Sequence, residues 1–96
     1  MSTVVILEFK CKDDTYEGLK SMMSDILSDT EAFEGCEALH AAADDNTKTV
    51  WLYEVWDKPE SQQKYIAWRG ERGDLKPLMA ALREPLEMRT MDVLKF

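Results

Sequence analysis

The chain has 96 residues, 45% of them apolar and 32% charged, and its 12 basic and 19 acidic side chains give a formal net charge of -7. A chain of this length builds one hydrophobic core and not two, so a single domain over residues 1–96 is expected. No apolar run reaches the roughly 18 residues of a membrane-spanning helix, and Met1 to Phe9 lacks the basic start of a secretory signal, so the protein is expected to be cytoplasmic with no membrane partner.

The charge is unevenly spread. Residues 1–56 carry 4 basic and 12 acidic side chains, whereas residues 57–96 carry 8 and 7. Neither half forms the basic stripe that phosphate binding draws on, so no nucleic-acid partner is expected. Cys11 and Cys36 lack metal-ligand spacing, and His40 is the only residue that would extend them toward a zinc set; no metal site is expected, and both cysteines are expected to be reduced thiols.

Thr3 to Phe9 is dense in β-branched residues and predicts a strand buried on most of both faces. Asp14, with Glu17 three positions later, has the form of a capping box. The helix it opens carries Tyr16, Leu19, Met22, Met23, Ile26 and Leu27 on one apolar stripe that ends near Asp29. Gly35 breaks the chain. Cys36 to Ala42 then predicts a strand that turns at Asp44, Asp45 and Asn46 into the strong strand signal of Thr49 to Trp56, forming a hairpin. Asp57 is the expected cap of a second helix, with Pro59 in its first turn and Glu60 at the third position. Tyr65, Ile66 and Trp68 supply its apolar face, and Gly70 and Gly73 interrupt it. Asp74 is the expected cap of a further segment carrying Leu75, Leu78, Met79 and Leu82, which Pro85 stops. Glu87 to Leu94 predicts the last strand.

The order βαββαβ is that of the α+β ferredoxin-like arrangement, a four-stranded antiparallel sheet with its helices on one face. Its first and second strands run parallel, which sets Cys11 and Cys36 too far apart to bridge. In the third strand Val50, Leu52 and Trp56 share one face, and Trp51, Tyr53 and Val55 share the other. Both faces are apolar, yet two helices cover only one. A second copy packed face to face is the simplest cover, and a homodimer through the open sheet face is expected.

Phe33-Glu34-Gly35-Cys36, Leu52-Tyr53-Glu54-Val55-Trp56 and Asp57-Lys58-Pro59-Glu60, in this order and spacing over nearly the whole chain, resemble the antibiotic-biosynthesis monooxygenase domains of the dimeric α+β barrel superfamily. The resemblance implies a dimeric barrel whose subunits each hold a cavity for a small aromatic or quinol-like ligand. It also implies oxygenation without metal or flavin, so that no cofactor is expected and the substrate supplies the electrons. Many members place a His nine positions after the strand Trp; here that position is Tyr65. Haem-degrading relatives carry an Asn in the first strand, where this chain has Leu7.

His40, the one side chain ordinarily titrating near neutrality, and Tyr65 are the catalytic candidates. His40 either faces a ligand over Ala38 and Ala42 or is a structural side chain beside the hairpin. Tyr65, Trp68 and Arg69 share a helix face and are expected to form a slot for a flat, anionic molecule, or else a core stripe capped by a surface Arg. Tyr53, Glu54 and Trp56 complete the substrate-binding candidates. Glu54 is an acid in an apolar strand face, either a proton-transfer group or one paired across the sheet or the dimer interface, with Arg89 as a candidate partner. Two functions are compatible with these residues: a cofactor-independent monooxygenase, and a non-catalytic binding or accessory protein or small-metabolite isomerase on the same fold.

Overall fold

The computed structural model describes residues 1–95; Phe96, the last residue of the expected domain, lies outside the described residues. The elements are β1 (Thr3–Lys10), α1 (Tyr16–Ala32), β2 (Cys36–Asp44), β3 (Thr49–Trp56), α2 (Pro59–Arg72), α3 (Leu75–Ala80) and β4 (Glu87–Asp92). The strands form one antiparallel sheet in the order β2-β3-β1-β4. The α+β ferredoxin-like arrangement expected from the element order is therefore the one observed. Cys11 is buried, Cys36 is half-buried, and both are free thiols.

Side-chain alternation places the core. Val5, Leu7 and Phe9 of β1 stand opposite Glu54, Leu52 and Val50 of β3, and all six are buried on the inner face beneath the helices. Tyr16, Leu19 and Met23 of α1 and Tyr65 of α2 close the core from above. On the outer face Trp51 and Tyr53 are 40% and 44% exposed. The two-sided apolar pattern of β3 thus resolves into one packed and one open face.

Helix boundaries depart from the sequence expectations. The first helix begins at Tyr16 with Thr15, not Asp14, at its N-cap position, and no side chain caps it. Thr15 Oγ1 is turned instead to the backbone carbonyl of Ala81, at 2.6 Å, and ties the start of α1 to the end of α3. Lys58, not Asp57, precedes α2. The Asp57 N–H donates to the Gly35 carbonyl at 2.8 Å, holding Asp57 at the strand end, and its carboxylate accepts from Ser61 Oγ. Gly70 does not interrupt α2, which runs through it; Gly73 does, in the left-handed conformation with its N–H on the Gly70 carbonyl.

One irregularity in β2 decides where His40 lies. Cys36 pairs with Trp56 and Ala38 with Val55, so two residues of β2 span one of β3. The extra residue inverts the facing of everything that follows it. In an unbroken register His40 would stand opposite Leu52 on the inner face. With the bulge it stands opposite Tyr53, on the outer one.

Candidate functional site

The sheet divides the candidates into two groups. Tyr65, Arg69, Glu54 and Trp56 are buried between the sheet and the helices, with Trp68 half-buried beside them. His40 and Tyr53 lie on the opposite side of the sheet, their ring centroids 6.1 Å apart. They border a shallow hollow with Ile6, Ala42 and Trp51. Within one chain, His40 therefore does not join Tyr65, Trp68 and Arg69 in a common site.

On the inner side, Leu7 and Leu52 of the sheet, Met23 and Leu27 of α1, and Leu75 and Leu78 of α3 line an apolar cavity of about 50 Å³. Glu54, Tyr65 and Arg69 complete its wall. That volume holds a few water molecules. Trp56 and Trp68 do not line it; they belong to an aromatic cluster around Phe33, whose ring lies 5.4 Å from those of Tyr65 and Trp68 and 6.3 Å from that of Trp56.

Glu54 is 2% exposed. Its one hydrogen-bond donor among the described residues is the indole of Trp56, from Nε1 to Oε1 at 3.0 Å. Burial pushes its carboxyl above the ordinary value of 4.5, and the Trp56 hydrogen bond holds it partly down. The expected partner Arg89 is not beside it. Arg89 stands opposite Ile6 on the outer face and lies 3.9 Å from Glu87, because its position on β4 has the opposite parity from Glu54's neighbours.

Arg69 is 1% exposed, and its donors are engaged by the protein itself. Nε donates to Tyr65 Oη at 2.8 Å, Nη1 to Asp74 Oδ2 at 3.0 Å, and Nη2 to the Ile26 carbonyl at 2.6 Å and to Thr30 Oγ1 at 3.1 Å. Asp29 Oδ2 stands 4.0 Å from Nη1. Tyr65 Oη also shares a 2.5 Å hydrogen bond with Thr30 Oγ1. The guanidinium thus ties α1, α2 and the entry to α3 together, and the Tyr65 hydroxyl is one of its anchors. This differs from the expected slot, in which Arg69 was to meet an anionic ligand.

Sequence reasoning missed Thr30, Asp74 and Phe33 as parts of this assembly. Thr30 lies four residues after Ile26 and so continues the buried stripe of α1, a signal readable in the spacing. Asp74 was assigned to capping, but its carboxylate serves Arg69 and Arg72 instead. Among the described residues no group of three or more His, Cys, Asp or Glu side chains is placed to hold a metal ion, and no helix is long and apolar enough to cross a membrane.

No protein-family model matches the sequence, and no curated protein gives a significant match. Solved structures do match. The chain aligns with Rv0793 of Mycobacterium tuberculosis at a TM-score of 0.83 and 17% identity, over 100% of this chain and 98% of that one. A protein from Deinococcus radiodurans named "putative antibiotic biosynthesis monooxygenase" gives 0.84 at 14% identity, over 98% and 94%. A structure named antibiotic biosynthesis monooxygenase gives 0.83 at 16% identity, over 99% and 100%. The chain therefore has the fold of proteins named antibiotic biosynthesis monooxygenases, the fold its sequence resemblance implies.

Proposed function

We propose that the chain is a cofactor-independent monooxygenase that binds a small phenol- or quinol-like molecule in the inner cavity and works as a homodimer joined through the outer sheet face. Glu54 carries the proposal: a buried carboxyl in the wall of an apolar cavity, with a single hydrogen-bond donor and a raised affinity for protons, is suited to take a proton from a phenolic hydroxyl or from the acidic CH2 of its keto form. For an anthrone-like substrate, the CH2 group and O2 become a carbonyl and water. Glu54 accepts the proton, the electron pair of the resulting anion forms the carbon–oxygen bond to O2, and the proton returns as the hydroperoxide breaks down to carbonyl and water. The shared fold with proteins named antibiotic biosynthesis monooxygenases supports the monooxygenase reading. His40 and Tyr53 then belong to the dimer interface.

A cavity that takes benzene measures about 150 Å³, so a substrate fits this one only when a wall moves. We propose α3 as that wall: it contributes Leu75, Leu78 and Met79 and joins α2 through the left-handed Gly73. The test is oxygen uptake by metal-stripped protein over hydroquinones, naphthols and anthrones, with heat-denatured protein to subtract autoxidation. Saturable uptake that needs folded protein and is lost in Glu54→Gln supports the proposal; uptake unchanged in that variant discards Glu54. The alternative is a binding or accessory protein. It is favoured by the internal engagement of Tyr65 and Arg69, which leaves the cavity one free reactive group. Ligand binding without oxygen uptake would support it.

A further inference from the structure

We infer that the cavity selects an uncharged ligand bearing one O–H or N–H donor and turns away carboxylates of the same shape. The inference rests on the cavity being the ligand site and adds the charge and polarity of what it takes. Three side chains of the wall carry polar atoms: Glu54, Tyr65 and Arg69. Arg69 is the one cation, and its Nε, Nη1 and Nη2 are held by Tyr65, Asp74, Thr30 and the Ile26 carbonyl. Asp74 and Asp29 already balance its charge. The Tyr65 hydroxyl is turned to Thr30 and Arg69. What remains for a ligand is Glu54, whose Oε1 takes the Trp56 indole and whose Oε2 has no donor among the described residues.

A carboxylate ligand would bury a negative charge in an apolar wall with no free cation to meet it, next to the carboxyl of Glu54, a cost that a neutral molecule of the same shape escapes. A ligand with a hydroxyl supplies the donor that Oε2 lacks. The rest of its surface must be hydrocarbon, because leucine and methionine form most of the wall. The preference inferred is the opposite of that expected for an anion slot around Arg69.

The experiment compares 1-naphthol, naphthalene and 1-naphthoate as probes at pH 8, titrated into the full chain labelled at its methyl groups. Methyl shifts at Met23, Leu78 and Met79 report occupancy of the cavity. The expected dissociation constants are at least tenfold lower for 1-naphthol than for either of the others. In Glu54→Gln, which keeps the shape and removes the charge, the gap between naphthol and naphthoate is expected to shrink to under threefold. Naphthoate binding as tightly as naphthol to the unmodified protein overturns the inference and leaves the cavity standing as a ligand site. Naphthalene binding as tightly overturns the need for a donor, and an unchanged gap in Glu54→Gln overturns the role given to its charge. If no probe moves the cavity methyls, the proposed function falls and the inference falls with it.

Discussion

At the scale of single residues, two buried ionisable groups meet opposite fates. Arg69 is satisfied on every nitrogen, whereas Glu54 keeps one indole donor. Removing a partner from a buried, hydrogen-bonded charge pair costs about 3–5 kcal/mol. Arg69→Met is expected to lose about that much in urea unfolding, because Tyr65, Asp74, Thr30 and the Ile26 carbonyl each lose one donor at once. Of these, Asp74 keeps Arg72 as a side-chain partner, and Thr30 and Tyr65 keep each other. Arg69→Lys is not expected to restore it, since an ammonium cannot reach all of these acceptors from one position. A loss under about 1 kcal/mol in Arg69→Met would show that the guanidinium does not hold the helices. For Glu54 the prediction concerns pH. Its folded value is raised above 4.5 by burial, so the folded chain holds that proton more tightly than the unfolded chain does. The stability it contributes is complete below the unfolded value and is lost as pH rises through the folded one. Unfolding midpoints measured between pH 4.5 and 8 should fall more steeply with pH in the unmodified protein than in Glu54→Gln, and parallel profiles would refute the assignment.

At the scale of elements, the joints are set by two glycines with different surroundings. Gly35, at φ +94, lies so close to α2 that an added Cβ would meet Ser61 Cβ and Oγ at 2.6 Å and Asp57 Oδ1 at 2.8 Å. Gly73, at φ +81, faces open space. Gly73→Ala therefore bears the left-handed penalty alone, about 1–2 kcal/mol. Gly35→Ala adds a clash with the strand-to-helix junction and is expected to cost at least about 3 kcal/mol in equilibrium unfolding; equal losses would mean that the contact at Gly35 relaxes freely. The elements themselves were legible, because periods of two and of 3.6 residues are written into β3 and α1. Their ends were less so: Asp14 and Asp57 carry the chemistry of caps, but tertiary hydrogen bonds at Thr15 and Asp57 fix the first turns. The site was legible in its residue types and not in its grouping. The bulge between Cys36 and Ala38 sends His40 to the outer face, and β2, with Ala38, Ala41, Ala42 and Ala43, alternates too weakly for the one-residue shift to show in the sequence. The acceptors that engage Arg69 at Thr30 and Ile26 lie 39 and 43 residues away in sequence, beyond any local spacing rule.

At the scale of the whole molecule, the open face of the sheet remains. Ile6 and Val55 are half-buried there, and Trp51, Tyr53 and Met91 are 40%, 44% and 46% exposed, all on the side away from the helices. An aromatic and aliphatic surface of this kind on the center of a sheet is what a protein interface buries at its core. Charged residues rim one end of it, where Glu8 and Glu87 stand opposite each other in register and Lys10 approaches Glu87 at 3.7 Å. A second copy presents the same surface, and a two-fold axis through β3 would set Trp51 and Tyr53 of the two chains against each other. Placing a charge at the middle of such a contact removes an aromatic anchor and buries an unpaired carboxylate, a loss of at least about 2 kcal/mol, or roughly thirtyfold in dissociation constant. Tyr53→Asp is therefore expected to shift sedimentation at micromolar concentration from dimer toward single chain while the far-ultraviolet circular dichroism stays unchanged, because the side chain packs on no helix of its own chain. Sedimentation of the unmodified protein as a single chain under the same conditions would leave the face without its second copy and overturn the dimer.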